Sequence, residues 1–194
     1  MTKKTNNPNH EVRTFTVSQL STRNAEGEVR KLVGYASVFN SPTTIGDGWF
    51  TEEILPGAFA QSIAEKDVRA LFNHDWNNVL GRMKSGTLVL SEDEHGLRFE
   101  IDLPDTTVAN DLAKSIDRGD IDQCSFGFIP AVEEWDHEAT PAARKLKEVE
   151  LFEISIVSLP AYDDTTVSLR SKEQYQLIEK RRAMLSQINS ILGE

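Results

Sequence analysis

Alternating apolar and polar residues dominate the middle of this chain and predict β-strands. The clearest case is the segment 97–103, in which four apolar residues alternate with three charged ones: Leu97, Phe99, Ile101 and Leu103 against Arg98, Glu100 and Asp102. A period of two places one set on a buried face and the other in solvent. Together with residues 87–90 and the intervening turn at 92–96, this segment predicts a β-hairpin.

Further strands are predicted along the rest of the chain. Residues 11–20 and 31–39 are expected to form a hairpin around a turn at 24–28. The segments 40–48 and 133–143 are polar and contain proline, so both are expected to be loops. Four more segments have the apolar content of strands: 68–72, 121–129, 145–157 and 167–169.

Helices are predicted where apolar residues recur every three or four positions. The first internal helix is short, with Phe59 and Ile63 one turn apart on one face. The second has Asp105 or Thr106 as its N-cap and stops at Gly119, which suits a left-handed end. Three apolar residues form the expected inner stripe of this second helix: Val108, Leu112 and Ile116.

The order of these elements predicts a mainly β fold with a few helices, of the α+β class. No regular strand–helix alternation is present, which argues against a parallel doubly wound sheet. We expect an antiparallel β-barrel or sandwich with the helices outside. The chain divides into a flexible leader at 1–10, one domain at 11–170 and an amphipathic tail helix at 171–194, which packs on the domain or binds a partner.

Composition narrows the function. The chain has 194 residues, 21 basic and 31 acidic, for a net charge of −10, so we expect no nucleic-acid or anionic-membrane binding. A single cysteine, Cys124, allows no internal disulfide and fits a reducing compartment. No apolar run reaches the roughly 20 residues of a membrane helix. The polar first residues lack the apolar core of a signal peptide, so a cytoplasmic location is expected.

Ser125 is the first candidate for chemistry, because it lies in an aromatic strand segment next to Gly127. A serine there is a buried polar filler unless the chain also supplies a base and a group that orients the base. His74 follows an apolar strand and is the histidine placed like a base. The other three are expected to be solvated: His10, His95 and His137.

Glu153 is the candidate for the orienting carboxylate. By period-two alternation it is expected to share one face of its strand with four other residues: Val149, Leu151, Ser155 and Val157. A carboxylate on such a face is costly to bury without a donor. An imidazole N–H is a suitable donor, and the carboxylate would in turn stabilise an imidazolium. The alternative is a partly exposed face on which Glu153 pairs with an arginine.

Two other chemistries compete for the same residues. Cys124 could replace Ser125 as nucleophile, but neighbouring strand residues point to opposite faces, so one of the two faces the site. A metal site could use His74, Asp75 and Glu153. The chain has no His-Glu-x-x-His motif and no cysteine pair, which argues against a metallohydrolase.

A set of short segments occurs in a fixed order along the chain. The segments are EILPGAF at 53–59, LFNHD at 71–75, LGR at 80–82, GTL at 86–88, GD at 119–120, SFGF at 125–128, LFEISIV at 151–157 and PA at 160–161. This ordered set resembles the prohead (capsid-maturation) proteases of tailed phages. The resemblance covers residues 30–170, and it is specific as a whole although each piece alone is weak.

The resemblance implies a fold similar to the herpesvirus assemblins, an antiparallel β-barrel of about seven strands ringed by helices. It implies a serine endopeptidase without cofactor or metal, with Ser125 as nucleophile and His74 as general base. Its acidic third member falls on Glu153, with Glu148 and Glu150 nearby as alternatives. Its oxyanion-hole donors are not placed by any motif; backbone N–H groups near Ser125 or after residue 160 are candidates.

The resemblance also implies the partners. The expected substrate is the scaffolding portion of the major capsid protein precursor, or a separate scaffold protein, inside the immature procapsid in the host bacterial cytoplasm. Other copies of the protease are a further expected substrate, with self-cleavage in the tail at 171–194. No nucleic acid or membrane partner is expected. A non-catalytic capsid-assembly or scaffold protein with the same barrel is the alternative function.

Overall fold

The protein is described by a computed structural model for residues 10–16, 20–23 and 30–158, together with Lys180 and Met184. Between residues 10 and 158 the described residues form eleven strands, two α-helices and a single 3-10 turn at Met83–Ser85. In chain order the strands and helices are β1 (Glu11–Thr16), β2 (Ser21–Arg23), β3 (Lys31–Val38), β4 (Thr43–Ile45), β5 (Phe50–Ile54), α1 (Ala60–Glu65), β6 (Arg69–Phe72), β7 (Asp75–Arg82), β8 (Leu88–Glu92), β9 (Gly96–Asp102), α2 (Thr107–Asp117), β10 (Gln123–Asp136) and β11 (Ala142–Val157).

The strands form two sheets, so the expectation of a mainly β fold with few helices is confirmed. One sheet has the order β1-β10-β11-β5-β4, and β6 also pairs with β11 and with β7. The other sheet has the order β2-β3-β9-β8. Both sheets contribute to one apolar core, in which Leu32 and Phe99 of the second sheet join Phe126 and Ile154 of the first.

The expected closed, entirely antiparallel barrel is wrong in two respects. The sheets are separate in their hydrogen bonding, and β11 pairs in parallel with β5 and β6. The cause is the length of β11, which has 16 residues. Its first part pairs with β5 at 142–146 and its last part with β6 at 153–156, and α1 connects these two partners. One long strand therefore serves two short parallel neighbours.

Strand partners also differ from those expected. β1 pairs with β10, and β3 pairs with β2 and β9, so the predicted hairpin of 11–20 with 31–39 does not form. Two predicted loops contain strands: β4 begins at 43, and the segment 133–143 holds the end of β10 and the start of β11. Local periodicity identifies a strand but does not select its partner, which depends on the whole core.

Several local predictions are confirmed. β8 and β9 form the expected hairpin, with Leu97, Phe99 and Ile101 buried. Thr106 caps α2, its Oγ1 accepting from the backbone N–H of Ala109 at 3.3 Å. Two members of the predicted α2 stripe are buried, but the third, Val108, is 38% exposed.

Three predicted segments lie outside the described residues: most of the leader at 1–10, the strand at 167–169 and most of the tail at 171–194. Within the tail, Lys180 and Met184 are described as helical. The division into leader, domain and tail therefore stays a prediction. In the part of the chain that is described, no helix is long and apolar enough to cross a membrane.

A buried cluster of ionic side chains joins four strands of the first sheet. Arg13 of β1 binds Glu52 of β5 at 2.6 Å, and Arg144 of β11 binds the same carboxylate at 2.9 Å. Arg144 also contacts Glu11 of β1 and Glu133 of β10. Burial alone raises the pKa of Glu11, but Arg13 and Arg144 outweigh it and hold that pKa below its usual value. The charges therefore stabilise the packing of β1 only as a set.

We predict that Arg144→Met destabilises the protein by about 3–5 kcal/mol, because it leaves buried carboxylates without their shared cation. Arg118 is a matched control, since its side chain is 76% exposed. Arg118→Met should change the unfolding free energy by less than about 0.5 kcal/mol. Urea unfolding followed by circular dichroism measures both variants. Equal midpoints would show that the cluster contributes no net stability.

Candidate active site

The site begins at the turn between β6 and β7. The turn consists of Asn73 and His74, both in the left-handed region with φ of 52° and 56°. Two-residue hairpin turns require such angles, which asparagine and histidine adopt more readily than most residues. Asn73 is fixed by its backbone N–H, which donates to the carbonyl of Ile156 at 2.9 Å, and by its side-chain oxygen, which accepts from the N–H of Ser158 at 2.9 Å. The imidazole of His74 is thereby held beside the end of β11.

His74 meets Glu153 directly. Its Nδ1 lies 2.8 Å from Oε1 of the Glu153 carboxylate, although the two residues are 79 positions apart in the chain. Glu153 is only 2% exposed. A carboxylate accepts, so Nδ1 carries the proton and Nε2 is left as the basic nitrogen. Nε2 is itself enclosed and has no hydrogen-bond partner among the described residues.

Ser155 completes this arrangement, and sequence reasoning assigned it no role. Its Oγ donates to Oε2 of Glu153 at 2.6 Å and accepts from the backbone N–H of His74 at 3.2 Å. Its position two residues after Glu153 on one strand is the signal that could have found it. Both carboxylate oxygens thus have a donor, which offsets the cost of burying the charge.

The direction in which Glu153 points depends on a β-bulge that the alternation of the sequence does not show. Glu153 pairs with Gly127, but the next pair in the register is Leu151 with Phe128, so Phe152 is an extra residue. Leu151 and Ile154 both lie in the core. The expectation that Glu153 shares a face with Val149 and Leu151 is therefore wrong. The bulge reverses the faces and turns Glu153 away from the core.

Ser125 lies on the same face as Glu153. It is directly opposite Ser155, as Gly127 is opposite Glu153, and opposed residues of an antiparallel pair project to one side. Its side chain is fully buried, and its Oγ donates to the backbone carbonyl of Arg13 at 2.9 Å. In this conformation the described contacts of the hydroxyl therefore go to β1 and not to His74.

Cys124 is on the opposite face of β10. It belongs to the core with Phe126 and Phe128, and burial raises the pKa of its thiol. A buried thiol with a raised pKa is a poor nucleophile. Of the two neighbouring residues, it is Ser125 that shares the face of the imidazole–carboxylate pair.

The alternative acids lie elsewhere. Glu150 pairs with Lys66, its Oε1 lying 2.6 Å from Nζ. Glu148 is opposite Val132 in the β10–β11 register, several residues before the bulge. Asp75, which follows His74, accepts from the backbone N–H of Asn77 at 2.9 Å. In the described residues, no group of three or more His, Cys, Asp or Glu side chains could hold a metal ion.

His10 is the residue whose position differs most from expectation. It was expected in a solvated leader, but it is half-buried beside Gly127 and Glu153. A Cβ on Gly127 would lie 2.7 Å from Nε2 of His10 and 2.7 Å from Oε1 of Glu153. His95, by contrast, is exposed as expected. No local signal at His10 could have revealed this, because the contact depends on β1 pairing with β10.

We predict that Gly127→Ala disrupts the pairing of His74 with Glu153 while leaving the sheets folded. The added methyl carbon would lie 2.7 Å from the Glu153 carboxylate and 2.7 Å from the His10 imidazole, distances that real Cβ atoms essentially never show. The proton shared by His74 and Glu153 should give a low-field resonance in wild-type protein, and that resonance should shift or disappear. Cys124→Ala, on the opposite face of β10, is the control and should keep it.

Two comparisons with known proteins agree on the protein family. The profile of the caudovirus prohead serine protease family matches residues 18–181. The chain is 28% identical over 173 residues to the prohead protease of Escherichia phage T5, covering 86% of this chain and 75% of that protein. No solved structure matches the fold, so the expected likeness to the herpesvirus assemblins stays a prediction.

Proposed function

The chain belongs to the caudovirus prohead serine proteases and is a serine peptidase of capsid maturation, and from this premise we propose that Ser125, His74 and Glu153 are its catalytic residues. The contact that supports the proposal is the 2.8 Å hydrogen bond between Nδ1 of His74 and the buried Glu153 carboxylate. It leaves Nε2 as the basic nitrogen, as a general base requires.

In the proposed mechanism, Ser125 first rotates about χ1 and leaves the carbonyl of Arg13. Its Oγ then attacks the peptide carbonyl carbon of the substrate while Nε2 of His74 takes the hydroxyl proton. The imidazolium so formed is stabilised by Glu153, and it returns the proton to the leaving amine. A water molecule, activated by His74 in the same way, hydrolyses the acyl-enzyme and frees Ser125.

Glu153 is well suited to this role because its charge is enclosed. Both of its oxygens accept a hydrogen bond, one from His74 and one from Ser155. A fixed carboxylate in a poorly solvated place attracts an imidazolium more strongly than one in water. The transition state, in which His74 gains charge, is therefore stabilised more than the resting state.

We also propose the substrate and the place of action. The major capsid protein precursor, cut at its scaffolding segment, or a separate scaffold protein, is the substrate, and cleavage takes place inside the procapsid within the host bacterial cytoplasm. Self-cleavage in the tail at 171–194 follows from the same activity. The basis for these partners is the family relationship.

One observation favours a second candidate function, a capsid-assembly or scaffold protein without catalysis. Ser125 is fully buried, and its hydroxyl is engaged with β1. A serine-directed fluorophosphonate separates the two functions. A protease should be labelled on Ser125, whereas a scaffold protein should take no label and should still co-assemble with the capsid precursor.

We predict that Ser125→Ala abolishes processing of the capsid precursor and leaves the fold intact, because it removes the nucleophile and only one buried hydroxyl. Cys124→Ser is the adjacent control and should retain processing. Co-expression with the precursor, followed by intact mass measurement, tests both. Full processing by Ser125→Ala, or loss of processing confined to Cys124→Ser, would contradict the proposed nucleophile.

We predict that Glu153→Gln lowers the rate of cleavage by about 10³- to 10⁴-fold, because an amide neither fixes the His74 tautomer nor stabilises its imidazolium. Glu150→Gln should leave the rate unchanged, since Glu150 pairs with Lys66. Initial rates on a peptide from the precursor measure the difference. The reverse ranking of the two variants would transfer the role of third member to Glu150.

A further inference from the structure

His10 lies outside the segments that resemble the family, and it approaches the site from the start of β1. It immediately precedes β1, in which Glu11 pairs with Phe128 of β10. Its imidazole extends over Gly127, where Nε2 lies 2.7 Å from the place that a Cβ would occupy. Oε1 of Glu153, the oxygen that binds His74, lies 2.7 Å from the same place. His10 and Glu153 therefore share the space that the absence of a side chain at Gly127 creates.

The position of the His10 ring is restricted on two sides. Its centroid lies 5.5 Å from that of the Phe152 ring, at a tilt of 36°. Phe152 is the extra residue of the β11 bulge that turns Glu153 toward His74. Since β1 is held against β10 over six consecutive pairs, the ring is positioned by β1 and by the bulge together. Motion of Glu153 toward Gly127 would meet this ring.

The electrostatic environment of His10 favours its uncharged form. Burial lowers the pKa of His10, the Glu153 carboxylate raises it, and His74 lowers it further, with Glu11 raising it slightly, so that the net pKa lies below the ordinary value. At neutral pH the His10 ring is therefore uncharged, and it does not compete with His74 for the negative charge of Glu153. In acid, a charged His10 beside the same carboxylate would compete with an imidazolium at His74.

We propose that His10 is a positioning residue of the active site, which confines the Glu153 carboxylate against His74 from above Gly127. This inference rests on the proposed function of His74 and Glu153 as base and orienting acid. His10 touches neither the substrate nor the attacking oxygen in this mechanism. It acts through Glu153, and it makes the efficiency of the site depend on the docking of β1.

Two substitutions separate the filling of space from the charge. His10→Ala removes the ring, so Glu153 gains room to move, and labelling of Ser125 by a fluorophosphonate at neutral pH should slow by about 10- to 100-fold. His10→Gln keeps most of the volume but cannot gain a proton, so its neutral rate should stay close to wild type. His95→Gln is the matched control, since His95 is an exposed histidine in the β8–β9 turn.

Thermal unfolding shows whether each variant is folded, and the His74–Glu153 low-field resonance reports the pairing without any need for activity. Attenuation of that resonance in His10→Ala and its recovery in His10→Gln support the proposal. A wild-type rate, pH profile and resonance in His10→Ala overturn it. If His10→Ala does not fold, His10→Asn, whose side chain is shorter than that of glutamine, takes its place, and a wild-type resonance in that variant overturns the proposal. If the wild-type protein takes no label, the proposed function fails, and the resonance still decides whether His10 positions Glu153.

Discussion

The buried carboxylate of Glu153 is the constraint on which the candidate site depends. A carboxylate that is 2% exposed requires donors, and it has them in Nδ1 of His74 and Oγ of Ser155. Each partner is fixed by another part of the sheet, His74 by a left-handed turn and Ser155 by its place on β11. Because the buried carboxylate is costly without its donors, the imidazole is held in one orientation and one tautomer.

The long strand β11 connects this site to the rest of the fold. Before the bulge, alternate residues such as Leu151 pack in the core; after it, Ile154 takes the core face and Glu153 the opposite one. The same strand carries Arg144, whose contacts with Glu11 and Glu52 attach β1 and β5 to the sheet. A single strand thus supplies core packing, buried ion pairing and the site carboxylate. The bulge places that carboxylate on the face opposite the core.

Much of the local structure could be predicted from the sequence, because it depends on periodicity alone. The hairpin of β8 and β9 and the cap of α2 at Thr106 are of this kind. The pairing of His74 with Glu153 could be expected because a buried carboxylate requires a donor, although the alternation assigned Glu153 to the wrong face. Strand partners could not be predicted, because β1 and β3 have similar local patterns and only the assembled core assigns them to different sheets.

The prediction of a loop at the polar segment 133–143 was wrong for a related reason. Glu133 is an acidic strand residue that pairs with Arg144 across the hairpin. The bulge at Phe152 and the approach of His10 are consequences of such pairings and have no local signature.

The hydrogen bond from Ser125 to the carbonyl of Arg13 bears on whether a serine so placed can act as a nucleophile. A neutral hydrogen bond of this kind contributes about 1 kcal/mol net. Giving it up would therefore slow a reaction by roughly fivefold, which is small beside the 10⁶-fold or greater acceleration typical of enzymes. The carbonyl itself is held in place, because the Arg13 side chain is clamped by Glu52 and Glu11 on the other side of the sheet. A fixed acceptor gives the hydroxyl one well-defined resting position on the face of Glu153. The proposed attack therefore begins with a rotation of the Ser125 side chain away from this carbonyl.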